Sequence, residues 1–225
     1  MTLEAKGIGR RINQHWLLRD VSLVIKPGDR LGLVGPSGSG KTLLLRSLAL
    51  LDPVKAGVIR YQGETPTGHD VPHFRSRVIY LPQRPPQGEG TVEEHLREPF
   101  ALRVHRDKQF NRDRIVAWLE LLGRDATLLS KVHRELSGGE MQFTALLRAL
   151  QLNPHILLLD EPTAAIDGAA ARSVEALLIA WLDDQPAAHA WLWVTHDDDQ
   201  AQRVSTSVLQ IRDGALHGEP YGYVH

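Results

Sequence analysis

Residues 30–50 leave this chain of 225 residues few folds to choose from. Arg30-Leu-Gly-Leu-Val34 is a short apolar run suited to a buried strand, Gly35-Pro36-Ser37-Gly38-Ser39-Gly40 is a glycine-rich loop, and Lys41–Leu50 reads as a helix. Glycines let backbone N–H groups crowd around an anion, and a helix that starts there adds the positive end of its dipole. Lys41 supplies a point charge and Thr42 a hydroxyl able to hold Mg²⁺. Such a segment binds the phosphates of a nucleoside triphosphate, and strand next to helix is the grammar of an α/β fold.

A second segment points the same way. Four aliphatic residues, Ile156-Leu-Leu-Leu159, precede Asp160 and Glu161, so a buried strand delivers two carboxylates to its C-terminal edge, where open α/β sheets bind ligands. An acidic pair after a strand is otherwise often a solvated strand end or a helix cap. With the phosphate loop upstream, the two carboxylates divide two tasks: Asp160 holds Mg²⁺, and Glu161 orients and deprotonates a water in line with the terminal phosphoryl group.

Between these segments, Leu136-Ser137-Gly138-Gly139-Glu140 resembles the signature of ATP-binding cassette ATPases, and the resemblance extends over nearly the whole chain. Locally it is a helix start: Ser137 is a good N-cap, two glycines free the backbone to approach an anion, and Phe143, Leu146, Leu147 and Leu150 follow helical spacing. The resemblance implies a P-loop NTPase cassette with a RecA-like α/β core, an antiparallel β part and a smaller α-helical lobe. It implies ATP and Mg²⁺, held by Gly35 through Thr42, Gln83, Asp160 and Ser137 to Gly139, with Thr42, Gln83 and Asp160 closest to the metal. Gln83, after the apolar run Val78–Leu81, matches the glutamine that senses Mg²⁺ and attacking water. His196, after Trp191–Thr195, matches the histidine that contacts the terminal phosphate and joins Glu161 as a catalytic residue. Ala164–Asp167 resembles a loop that crosses a dimer interface. The implied partners are a second copy of this chain or a homologous cassette, and an integral-membrane permease. Two ATPs would hold the dimer shut, on the inner face of the membrane.

The departures from the family pattern also carry expectations. The position of the usual adenine-stacking aromatic falls near Ile12, with Trp16 the closest aromatic. Phe143 stands where the family often has arginine, on an apolar stripe where packing is expected. Ala164 replaces a frequent serine. Among the eleven histidines, His69, His73, His105, His133, His155, His189, His217 and His225 read as surface or core residues rather than site residues.

Composition narrows the function classes. With 26 basic and 27 acidic residues the formal net charge is −1, so no nucleic-acid partner is expected, and with no cysteine there is neither disulfide nor thiolate metal site. No run approaches the ~20 apolar residues of a membrane span, and Met1–Lys6 lacks the apolar core of a secretion signal. A cytoplasmic location is expected. The rival class, soluble cassette ATPases acting on nucleic acid or ribosomes, carries coiled-coil insertions, zinc cysteines or fused cassettes that do not fit here. A regulator without turnover is disfavoured by Glu161.

Along the chain, residues 1–83 and 153–225 read as the catalytic core and 84–152 as the helical lobe ending at the signature. Thr91–Val104 and Asn111–Leu122 have helix-like spacing around the charged break Arg103–Lys108. Leu81-Pro-Gln-Arg-Pro-Pro86 is a stiff extended hinge, because each proline fixes φ. In the family this hinge meets the membrane subunit, with Arg75, Arg77, Arg84 and Arg97 nearby as cationic contacts. The compact length, without a C-terminal regulatory extension, is similar to small bacterial ATPases paired with a homodimeric permease, including an iron-export group.

Overall fold

The computed structural model describes residues 1–222, with side chains through residue 217; His225 lies outside them. The strand β3, Arg30–Val34, and the helix α1, Lys41–Leu48, flank the glycine loop as the sequence pattern predicts. Near-continuous apolar runs form the neighbouring strands: β5 (Val78–Leu81), β6 (Ile156–Asp160) and β7 (Ala190–Val194). Runs without alternation are what strands covered on both faces require. Together with β8 (Ser207–Arg212) and β9 (Ala215–Gly222) they make a six-stranded sheet in the order β5-β6-β7-β3-β8-β9. All pairs are parallel except the final β8-β9 hairpin.

A second, antiparallel sheet is built from β1 (Leu3–Ile12), β2 (His15–Ile25) and β4 (Ala56–Tyr61), in the order β2-β1-β4. The pleat divides the two faces of the parallel sheet between two cores. Ile156 and Leu158 of β6, with Ala190, Leu192 and Val194 of β7, pack toward α1 and the antiparallel sheet. Leu157, Leu159, Trp191 and Trp193 face the other way, toward α5 (Gly138–Leu150) and α6 (Gly168–Asp184).

Residues 84–152 are helical but broken into short pieces. The expected helix over Thr91–Val104 is instead α3 (Val92–Arg97), followed by separate 3₁₀ turns at Glu98–Ala101 and Arg103–His105. Pro99, buried in the first turn, cannot donate the backbone bond that a continuing α-helix needs. The second stretch forms α4 (Arg112–Leu121), capped by Asn111, whose side chain accepts from Arg114 N. A short helix with no clear amphipathic period, α2 (Asp70–Arg77), precedes β5, and α7 (Asp198–Val204) follows β7. No helix among the described residues is long and apolar enough to cross a membrane.

Candidate active site

Four strand ends converge at the C-terminal edge of the parallel sheet, and each brings one part of the site. After β3, the loop Gly35–Gly40 wraps tightly enough that a Cβ on Gly35 would sit 2.1 Å from the Ile211 carbonyl oxygen, so only glycine fits. Gly40 caps α1 in the left-handed region at φ 106°, again a conformation glycine adopts without cost. Lys41, buried at the start of α1, turns back over this loop, its Nζ donating to the carbonyls of Gly35 (2.7 Å) and Pro36 (3.0 Å). Burial lowers its pKa, and the nearby Glu161 and Asp160 carboxylates oppose that shift. Ser39 is buried in the same loop, its Oγ without a hydrogen-bond partner among the described residues, a donor suited to a phosphate oxygen.

β6 ends in Asp160 and Glu161. Asp160 is buried and accepts a 2.9 Å bond from the Tyr80 hydroxyl on the neighbouring strand β5. Burial first, and then Asp160 itself, raises the Tyr80 pKa, so the phenol stays a donor and fixes the carboxylate. Glu161 adopts a left-handed backbone (φ 48°), strained for a non-glycine residue and held by bonds from its N–H to Val194 O (3.2 Å) and from Ala164 N–H to its carbonyl (3.1 Å). Its carboxylate accepts from Gln83 Nε2 at 2.7 Å and lies 2.5 Å from His196 Nε2. Gln83, Glu161 and His196 therefore meet, although 78 and 35 residues separate them in sequence order.

Glu161 and His196 line a cavity of about 400 Å³ together with Ser37, Gly38, Lys41 and Thr42. Leu17 and Arg46 also line it; neither Ile12 nor Trp16 does. Adjacent strand residues point to opposite faces, and Trp16 lies across β1, where a Cβ on Gly9 would come within 2.8 Å of its ring. Strict alternation in β2 from Val21, Leu23 and Ile25 would turn Leu17 inward; the left-handed Asp20 (φ 47°) shifts the phase so that Leu18 is buried and Leu17 exposed, and no sequence signal singles Leu17 out. Tyr80, inside the apolar run of β5, carries no signal either.

Ser137 caps α5 through a full capping box: its Oγ accepts from Glu140 N (3.3 Å), and Glu140 accepts from Ser137 N (3.0 Å). Gly138 and Gly139 approach Ala165 and Ile166 of the loop after Glu161. Among the described contacts none joins Ser137–Gly139 to the phosphate loop of the same chain. Phe143 is fully buried, with the Arg124 guanidinium 5.0 Å from its ring centroid.

Residues 18–164 match the family model described as ABC transporter. The chain is 32% identical to the Fe(3+) ions import ATP-binding protein FbpC 2 of Pectobacterium atrosepticum over 99% of its length, and 35% identical to the sulfate/thiosulfate import ATP-binding protein CysA of Bordetella bronchiseptica over 96%. It spans less than two thirds of those proteins, 64% and 61% respectively. It is also 31% identical to the probable iron export ATP-binding protein FetA of Escherichia coli K12, covering 97% of this chain and 96% of that one. The dimeric bacterial cassette MJ0796 superposes with a TM-score of 0.85 at 25% identity, covering 98% of this chain and all of the other. By its motifs, its fold and these likenesses, the chain belongs to the ABC transporter family, as one of its ATP-binding cassettes.

Proposed function

We propose that this chain binds ATP with Mg²⁺, hydrolyses it, and thereby powers movement of a solute through a separate membrane permease. The observation that carries the reading is the Glu161 carboxylate, held between Gln83 and His196 in the wall of the cavity that Lys41 and Thr42 also line. The donor set suits Mg²⁺: the Thr42 hydroxyl, the Asp160 carboxylate and the Gln83 amide are all hard oxygen ligands. Held by these residues, Mg²⁺ would supply positive charge that offsets the negative charge of the phosphates. Lys41 and the loop N–H groups hold the phosphates, Glu161 orients and deprotonates the attacking water, and His196 donates a hydrogen bond to the terminal phosphate.

In this reading residues 1–83 and 153–225 form the catalytic core, residues 84–152 the lobe, and Ser137–Gly139 serve the phosphate loop of a second copy or a homologous cassette. The separation of Ser137–Gly139 from their own phosphate loop supports that arrangement, as does the dimeric state of MJ0796. The permease would hold the protein on the inner face of the membrane, meeting the hinge Gln83–Pro86. The relatives carry names for both import and export and for different solutes, which fits a cargo chosen by the permease.

Glu161→Gln is the decisive test. It is expected to keep ATP binding, cut turnover by roughly a hundredfold or more, and trap an ATP-bound dimer on gel filtration. Hydrolysis at the parental rate would refute the assignment. Co-purification of a multi-span protein from detergent extracts tests the permease, and recovery with ribosomes or nucleic acid alone would refute it.

A further inference from the structure

Behind the His196–Glu161 pair lies a buried carboxylate that the hydrolysis scheme does not use. Glu175, on α6, has a side chain only 6% exposed, and removing a charge from water is costly unless it is fully paired. Arg203 of α7 provides the pairing, donating from Nε to Glu175 Oε2 (2.9 Å) and from Nη2 to Oε1 (3.0 Å). The third donor is the buried Gln200, whose Nε2 lies 2.8 Å from Glu175 Oε1.

That third bond gives the network a direction. A carboxylate only accepts, so Glu175 compels Gln200 to present its NH₂ and to aim its amide oxygen the other way. The oxygen accepts from the Thr195 hydroxyl at 2.8 Å. Having spent its proton there, Thr195 Oγ1 accepts from the backbone N–H of Asp197 at 3.1 Å. That N–H belongs to the peptide bond that leaves His196. The same Gln200 amide donates to Thr163 Oγ1 at 3.0 Å, two residues past Glu161. One side chain is thus tied to the segments on both sides of the 2.5 Å contact between His196 and Glu161.

We infer that Gln200, oriented by Glu175 and Arg203, is a positioning residue that sets His196 against Glu161 and the terminal phosphate. The inference rests on the hydrolysis reading and extends it to a residue outside the lining of the cavity that holds Lys41 and Thr42. A brace that merely joined α6 to α7 would have no reason to act through the histidine.

A double-mutant cycle separates the two roles. At a temperature where circular dichroism finds each variant folded, Gln200→Leu is expected to lower kcat about tenfold with KM for ATP within about twofold, and to cause no further loss in a His196→Ala background. Equal losses in both backgrounds, or no loss in the native background, would overturn the inference. Gln200→Glu provides a second arm. A carboxylate at position 200 cannot donate to Glu175 or to Thr163, so this variant is expected to lower kcat about as much as Gln200→Leu, again with no further loss in the His196→Ala background. Parental kcat in this variant would also overturn the inference. A parental protein without ATPase activity would instead sink the hydrolysis reading itself.

Discussion

The edge of the parallel sheet and the segment 84–152 solve the same problem, fixing side chains in space, by different means. At the sheet edge, Asp160, Glu161, Gln83 and His196 sit at or just past strand ends whose backbones are locked by parallel ladders. Their carriers are buried on both faces, and little can shift. Residues 84–152 have a single antiparallel bridge, Thr91 to Val132, and no longer ladder. Their helices and turns pack through buried side chains such as Leu96, Leu119 and Phe143, and are tied at the surface by the Thr91–Glu94 box, the Asn111 and Asp125 caps, and Glu93 shared by Arg97 (2.7 Å) and Arg112 (3.1 Å). Exposed ion pairs and caps contribute on the order of 1 kcal/mol or less each. The difference teaches that the proposed hydrolytic side chains sit on the element fixed by backbone ladders, while the segment that carries Ser137–Gly139 depends on side-chain packing and surface ties that can yield separately.

The comparison breaks if the two regions respond alike to the same damage. Leu158 and Leu119 are both fully buried, one on β6 and one on α4. Leu158→Ala is expected to cost ~4–5 kcal/mol, because strands on either side prevent collapse, and Leu119→Ala ~2–3 kcal/mol, because short helices relax into the space. Denaturant unfolding of the two variants gives the values; equal or reversed costs would erase the distinction.

A smaller effect comes from pH. Burial, followed by the nearby Arg77, lowers the His155 pKa from 6.5 to about 4 at the start of β6, where the ring also bonds the Tyr61 hydroxyl. The unfolded chain takes up a proton that the folded chain refuses, so this contribution is full above pH 6.5 and is lost as pH falls toward 4. His155→Asn is expected to flatten the stability curve by about 1 kcal/mol between pH 7 and 5, with partial exposure taken into account. Burial also lowers His95, His105 and His133 within residues 84–152 and His189 just before β7, so a slope of the same sign persists.

The caps sharpen the contrast further. Thr91→Ala and Ser137→Ala each remove a capping box and are expected to cost about 1 kcal/mol in stability. Only Ser137→Ala is expected to lower ATP turnover as well. The smallest effect concerns the base: Trp16→Ala is expected to change ATP affinity by less than about twofold and Leu17→Ala by more, since only Leu17 lines the cavity. Titration with ATP and GTP provides the check, and a strong ATP preference lost with Trp16 would reverse it.

Much of the fold was legible because its signals are local. The strand-loop-helix at 30–48, the apolar runs of β6 and β7, and the capped start of α5 each announce themselves within a dozen residues. Other elements defeat such reading. β1 carries several register shifts that blur its alternation, α2 begins with Asp-Val-Pro and has no clear apolar stripe, and Pro99 breaks a helix that spacing alone would continue. At the site, Gln83 and His196 were legible only through resemblance, since no periodicity brings them to Glu161. The pairing of Glu175 with Arg203 was not legible at all, because two residues on different helices become neighbours only after the sheet has formed.

The tight seat of Gly35 under the Ile211 carbonyl has a consequence for how the protein is made. β3 pairs with β7 on one side and β8 on the other, and both leave the ribosome long after β3 itself. Until they arrive, the glycine loop has neither flanking strands nor the carbonyl against which it closes. A nascent or truncated chain therefore has no assembled cradle, and the proposed nucleotide stabilises finished copies alone, by mass action on the native state. Cellular ATP would act as a quality criterion, favouring complete molecules over those that stopped short of β8.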